Sequence, residues 1–226
     1  MQRIFLLSPA SCSGERARLV LHPDARFDLA RRLRAAPGAP LGEVFSFLSG
    51  LYFRGKLLYA LRFARPPANQ AGTFIITPNA GLCTADEPVT TRQLQAFAQV
   101  PIDSREPRYT RPVLRDARKL AVALGARCEV VLLGSVATGK YVDLLLPIFE
   151  QRLRFPGTFV GRGDMSRGGL LLRCVDAGSE LDYVAVSEAV RHGSRPPRLQ
   201  PRTRGKAAVP SIEVGLGART GGEMKE

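Results

Sequence analysis

Apolar residues recur along this chain in two alternating rhythms, a continuous short run and a three-to-four-residue period, and the alternation sets the expected architecture. Residues 3–8 form a compact apolar run that reads as a buried strand, and residues 24–35 follow with helical spacing. A second helical pattern covers residues 41–64, with Phe45, Leu48, Tyr52 and Leu58 near one face, and stops before Pro66 and Pro67; Gly50 and Gly55 are its expected kink points. Residues 73–77 are β-rich, 78–81 form a turn, 90–99 a brief helix, and 101–112 a proline-bounded, linker-like loop.

The same alternation continues to residue 186. Residues 113–124 are helical and end at Gly125, and 128–133 give the clearest strand pattern in the chain. A helix at 138–151, a strand at 154–160, a helix at 165–177 and a closing strand at 182–186 complete the series. Strands alternating with helices predict a single α/β domain over residues 1–192, with a mainly parallel sheet flanked by helices. Residues 193–226, rich in Pro, Gly and Arg and without apolar periodicity, are expected to form a disordered basic C-terminal tail. In a sheet of this kind ligands bind beyond the carboxyl ends of the strands, which directs attention to the segments that follow each strand.

The most telling of these segments is Glu129-Val-Val-Leu-Leu-Gly-Ser-Val-Ala-Thr-Gly-Lys-Tyr141. Gly134, Gly139 and Lys140 have the spacing of a phosphate-binding loop after a strand, where backbone N–H groups and an ammonium cradle phosphates. Tyr141 stands where that loop needs Ser or Thr to reach magnesium, and a phenol on a bulky ring cannot take that place, so triphosphate hydrolysis is not expected. What remains is a glycine-rich strand-to-helix turn carrying Gly134, Ser135, Gly139, Lys140 and Tyr141, an anion site by virtue of its free amides and the helix dipole. The alternative is that both glycines merely permit a tight turn and that Lys140 is solvated.

Two further strand ends carry chemistry. Phe155-Pro-Gly-Thr-Phe-Val-Gly-Arg-Gly-Asp-Met-Ser-Arg-Gly-Gly169 gathers Arg162, Asp164, Ser166 and Arg167 just before an apolar helix. Asp164 stands where it could cap that helix, and the two arginines could clamp a phosphate or carboxylate, unless the motif is only a capped helix with a surface ion pair. Ser8-Pro-Ala-Ser-Cys12 follows the first strand and brings the hydroxyls of Ser8 and Ser11 to the same edge. A serine nucleophile would need a base, and the two histidines, His22 before a proline and His192 at the start of the tail, are poorly placed. Within the 41–64 helix, Tyr52, Arg54, Lys56 and Tyr59 have the composition of a nucleic-acid surface, with Arg54 and Lys56 as phosphate contacts; an ordinary amphipathic face explains Tyr59 as well.

Composition refines this picture. The 226 residues, 45% of them hydrophobic, suffice for one well-buried domain. The first apolar run is too short for a signal sequence or membrane helix, which with four widely spaced cysteines, Cys12, Cys83, Cys128 and Cys174, points to reduced thiols in a cytoplasmic protein. No zinc spacing occurs, and neither a metal nor a cofactor is expected. The net charge of +13 favours a polyanionic partner, and since residues 191–226 hold eight basic and three acidic residues, the first 190 are basic in their own right, at +8. Arginine supplies 28 of the 33 basic residues, a bias that genome base composition also produces.

Three segments, in order, resemble the YaaA-like family of bacterial peroxide-stress proteins: Phe5-Leu-Leu-Ser-Pro-Ala10, then Val130-Val-Leu-Leu-Gly-Ser-Val-Ala-Thr-Gly-Lys-Tyr141, then Arg162-Gly-Asp-Met-Ser-Arg167. The resemblance implies an α/β domain that binds DNA and helps cells withstand oxidative damage, although the family's helix-hairpin-helix has no counterpart here. Phe74-Ile-Ile-Thr-Pro-Asn-Ala-Gly-Leu82 is similar to a turn in uncharacterised bacterial proteins.

The expectation drawn from the residues is a phosphate-bearing ligand, nucleic acid or nucleotide, bound at the sheet edge by Ser8, Ser11, Gly134, Ser135, Gly139, Lys140, Tyr141, Arg162, Ser166 and Arg167. The alternatives are a nucleotide- or nucleoside-processing enzyme with Asp164 as general acid or base, and a non-catalytic protein whose basic tail folds onto an acidic partner.

Overall fold

A computed structural model describes residues 1–194, 196, 197 and 199; the expected tail therefore lies almost entirely outside the described residues. The chain runs β1 (Arg3–Leu7), α1 (Glu15–Leu21), α2 (Asp28–Arg34), β2 (Ala39–Pro40), α3 (Leu41–Ser49), α4 (Leu51–Phe63), β3 (Thr73–Ile76), β4 (Leu82–Thr84), β5 (Pro88–Val89) and α5 (Thr91–Ala98). It continues through α6 (Pro107–Leu124), β6 (Glu129–Leu133), α7 (Gly139–Phe149), β7 (Leu153–Pro156), α8 (Asp164–Ala177) and β8 (Tyr183–Ala185). Six strands form one sheet in the order β4-β3-β1-β6-β7-β8. The inner four are parallel and both edge strands antiparallel, so the expected mainly parallel sheet is present with a reversed strand at each margin. Among the described residues, no helix is long and apolar enough to cross a membrane.

Period-two alternation in the central strands divides the core between the two faces of the sheet. Phe5, Leu7, Val131 and Leu133 pack with α3, α4 and α8 through Phe45, Phe53, Tyr59 and Leu171. Ile4, Leu6, Val130 and Leu132 pack with α6 and α7 through Tyr109, Val113, Ala117 and Leu145. After their first residues, Arg3 and Glu129, both central strands are apolar because each is covered on both sides, as parallel strands require. The four cysteines are buried free thiols.

Several boundaries differ from the sequence expectation, each for a local reason. The single helix expected over 41–64 is two, because Gly50 adopts φ +63, which ends α3 and starts α4; Gly55 produces no break. The loop expected over 101–112 stops at Glu106, whose side chain accepts from the Arg108 amide, and Pro107 occupies the first helical position, where its missing N–H costs nothing. Pro112 is then inside α6. Helix α1 leaves no periodic signal in the sequence because only Ala17 and Val20 of its seven residues are buried. The helix expected over 24–35 begins at Asp28, and the strand over 154–160 ends at Pro156, followed by a 3₁₀ turn at Gly157–Phe159.

Two contacts fix how α4 lies against the sheet. Helices α4 and α8 meet backbone to backbone: a Cβ on Gly55 would stand 2.8 Å from the Gly168 carbonyl oxygen, and one on Gly168 would stand 2.8 Å from the Tyr52 Cα. The α4 stripe of Tyr52, Lys56 and Tyr59 is thereby pressed between the sheet and α8. At the amino end of the sheet, Arg3 bridges Glu129 and Glu180, and the Tyr59 hydroxyl pairs with that of Tyr183 at 2.6 Å.

Candidate functional site

The chain leaves β1 toward β3 on one side and later leaves β6 toward β7 on the other, so the order of winding reverses between β1 and β6. Such a switch point opens a crevice at the carboxyl ends of the two strands. Leu7 pairs with Leu133, and the residues immediately beyond, Ser8 and Gly134, therefore lie side by side. A Cβ on Gly134 would stand 3.0 Å from the Ser8 Cβ, so glycine permits the close approach.

Lys56 enters this crevice from α4. It is 1% exposed, and its Nζ donates to the Ser8 carbonyl at 2.5 Å and to the Ser8 Oγ at 2.7 Å. The Ser8 hydroxyl in turn donates to the Leu133 carbonyl at 3.2 Å. The rings of Tyr52 and Phe53 lie 4.5 and 4.9 Å from Nζ. Burial pulls the Lys56 pKa down to about 7; Asp164 opposes that fall, and the charges of Arg167 and Lys140 add to it.

This overturns one sequence expectation. Composition pairs Arg54 and Lys56 as a nucleic-acid surface, yet positions two apart on an α-helix point about 200° from each other. Arg54 is accordingly exposed, and Lys56 is inside. Tyr59 is on neither a nucleic-acid surface nor an amphipathic one: it is fully buried, its hydroxyl accepting from the Leu181 amide at 2.7 Å.

Around Lys56 stand two buried phenols. Tyr141, in the first turn of α7, is pushed up by burial, with the Ser8 hydroxyl drawing it back. Tyr52 is 7% exposed, its hydroxyl makes no hydrogen bond of normal geometry, and burial pushes its pKa up to about 12, with Arg167 lowering and Asp164 raising it. Lys140 lies half-exposed at the rim, its Nζ 5.3 Å from the Tyr141 ring centre, and Gly139 opens α7. Neither α7 nor α8 has a side-chain N-cap bond, so the first-turn amides of both helices are left without side-chain acceptors at this edge.

The arginine pair of the third segment separates. Arg167 turns inward, its side chain 13% exposed, with Nε and Nη2 donating to the Phe159 carbonyl at 3.2 and 3.1 Å and Nη1 lying 3.8 Å from Asp164. Arg162 is occupied locally, donating to the Thr158 carbonyl at 3.0 Å and to Ser166 Oγ at 3.2 Å, so the expected two-arginine clamp is not assembled. Asp164 is the first residue of α8 rather than its cap, which is Gly163, and its side chain is 71% exposed. Ser135 is half-buried on the loop after β6, and Ser11 is exposed with Ser13 as its hydrogen-bond neighbour, outside the cluster.

The structure thus brings together Ser8, Gly134, Gly139, Lys140, Tyr141, Asp164 and Arg167, and adds Tyr52 and Lys56. The sequence does carry a signal for Lys56: a cation at the i, i+4 position from Tyr52 on a stripe otherwise filled by Phe53, Ala60 and Phe63. Comparison with protein-family models, curated proteins and solved structures finds no match to this chain.

Proposed function

We propose that the protein binds a phosphate-bearing ligand of nucleotide size at the carboxyl edge of its sheet, between the ends of β1 and β6 and the first turns of α7 and α8. The observation that carries this reading is the burial of Lys56 at the switch point, with Lys140 and Arg167 near enough to depress its pKa. Lys140, Arg167 and two helix N-termini without side-chain caps surround Lys56, against the carboxylates of Asp164 and of Asp143, which reaches back over Gly139 at the start of α7; the two helix N-termini tip that balance toward an anion. A compact ligand suits it better than an extended strand, because Lys56 is 1% exposed and the Arg167 side chain 13% exposed, so neither cation stands out along a surface track.

A second reading is a nucleic-acid strand, the partner implied by the resemblance to YaaA-like proteins. In its favour, α6 presents exposed Arg108, Arg111 and Arg115 along a groove of about 740 Å³ that also includes Asn79 and Pro112. Arg108 and Arg115 are each paired with a neighbouring carboxylate, which reduces their pull on phosphate.

The test is thermal protection of the full chain by mono- and dinucleotides beside binding of labelled single-stranded DNA over a salt series, each repeated with Arg167→Ala. Protection by nucleotides that Arg167→Ala weakens supports the edge site. DNA binding with a steep salt slope, unchanged by Arg167→Ala and lost with Arg111→Ala, moves the function to α6.

A further inference from the structure

We propose that Lys56 is a nucleophilic amine that forms an imine with the carbonyl carbon of a phosphorylated aldehyde or ketone held at this edge. The inference rests on the anion-binding reading and adds a reaction to it.

The hydrogen-bond pattern distinguishes this role from that of a base serving Ser8. The Ser8 hydroxyl hydrogen is directed to the Leu133 carbonyl, so Ser8 Oγ is an acceptor toward Lys56 and not a proton donor to it. A neutral amine has two hydrogens, and the Ser8 carbonyl and Oγ take both. The Nζ lone pair is then unoccupied.

The surroundings keep it so. A buried lysine that serves structure alone is ordinarily paired with a carboxylate, because an isolated ammonium in an apolar interior is costly. Among the described residues, no carboxylate is hydrogen-bonded to Nζ, and Asp164, the acid acting on it, turns most of its side chain to solvent. Desolvation and adjacent cations are the two means by which proteins keep a lysine nucleophilic at neutral pH, and Lys56 has both.

The step balances within the cluster. The Nζ lone pair forms the C–N bond as the carbonyl π bond opens, and the oxygen takes a proton from the Tyr52 hydroxyl. That phenol is buried and without a normal hydrogen bond, its ring lies against Nζ, and its raised pKa keeps it protonated until called upon. The two amine hydrogens return by way of Tyr52, and the oxygen leaves as water, giving the neutral imine. Lys140, Arg167 and the first-turn amides of α7 and α8, which lack side-chain caps, hold the phosphate.

The experiment uses pyridoxal 5′-phosphate as the probe aldehyde, borohydride reduction, and peptide mass spectrometry of the full chain. Its five lysines, Lys56, Lys119, Lys140, Lys206 and Lys225, are read out separately. The expected result is reduction-locked label on Lys56 at least about tenfold faster than on Lys119 or Lys140, and at least about tenfold faster than with unphosphorylated pyridoxal. Label spread over the solvent-facing lysines, or no phosphate preference, overturns the proposal. Pyridoxine 5′-phosphate, which has no aldehyde, separates the two layers. If it protects the fold thermally while Lys56 stays unlabelled, imine chemistry fails and anion binding stands; if it neither protects nor competes with label, the anion-binding reading fails as well. Lys56→Met serves as the site control, and because the labelling is read on the unaltered chain, a folding defect in that variant leaves the result intact.

Discussion

The Nζ of Lys56 reaches the Ser8 carbonyl at 2.5 Å and the Ser8 Oγ at 2.7 Å, tying the middle of α4 to the first residue beyond the central strand. An amine in that position is both a structural tie and a titratable group sealed in the core, and the two properties have separable consequences.

The first consequence is a pH dependence of stability. The folded pKa of Lys56, about 7, lies below its ordinary value of 10.5, so between those pH values the unfolded chain binds the extra proton. Stability therefore rises with pH across this window, and below pH 7 the penalty is present in full. The clean part of the range is pH 7–9, because Cys12 and Cys83, raised by burial from 9.0 to about 12, contribute stability that is lost as pH rises above 9. Denaturant unfolding of the wild type should show a rise on the order of a few kcal/mol from pH 7 to 9, and Lys56→Met should flatten it. A wild-type slope that survives Lys56→Met would assign the effect to other groups.

The contact between α4 and α8 gives a second expectation. A methyl at Gly168 would stand 2.8 Å from the Tyr52 Cα and 2.9 Å from the Leu51 carbonyl oxygen, both backbone atoms that cannot turn aside. Gly168→Ala should destabilise the protein by about 1–3 kcal/mol in equilibrium unfolding, the cost of overpacking. Gly163→Ala, with nothing within 4 Å of its Cβ, should cost less, about 0.5–1 kcal/mol, because its only penalty is that alanine is a poorer N-cap of α8 than glycine.

How far the sequence discloses this site depends on which property is asked of it. The strand ends are legible because buried parallel strands are continuous apolar runs, so Ser8, Gly134 and Lys140 can be placed at one edge from periodicity alone. The direction of individual side chains is not. Arg162 and Arg167 look equivalent in sequence, yet Arg167 is drawn inward to the Phe159 carbonyl whereas Arg162 turns to Thr158 and Ser166. Lys56 escapes a sequence reading for a related reason: a long charged side chain is ordinarily solvated, and here α4 is held close against α8 where Gly55 meets Gly168. Composition gives no sign of that contact, since two glycines more than a hundred residues apart must meet to make it.

The divergence of the two arginines is itself testable. Arg167→Ala should weaken nucleotide or pyridoxine 5′-phosphate binding at least about tenfold and lower stability by about 1 kcal/mol through loss of its bonds to the Phe159 carbonyl. Arg162→Ala should leave affinity within about twofold, since its bonds are satisfied by Thr158 and Ser166. Isothermal titration and thermal unfolding of both variants decide the matter; equal losses of affinity would restore a two-arginine clamp.

Tyr52 allows stability and function to be set against each other. Its hydroxyl is buried without a hydrogen bond of normal geometry, a cost of about 1–3 kcal/mol that packing of the ring must offset. Removing only that oxygen, in Tyr52→Phe, leaves the ring against Lys56 and should raise the melting temperature by a few degrees. If the hydroxyl served the fold alone, nothing else would change. A proton donor to a ligand carbonyl behaves differently: the same substitution should slow labelling of Lys56 by pyridoxal 5′-phosphate by about 10²-fold while leaving binding of pyridoxine 5′-phosphate within about twofold. A variant that is more stable, binds the anion normally and yet forms the imine slowly would show that the unpaired hydroxyl is kept for chemistry at the expense of stability. A variant that labels at the wild-type rate would remove Tyr52 from the reaction and leave water as the proton source.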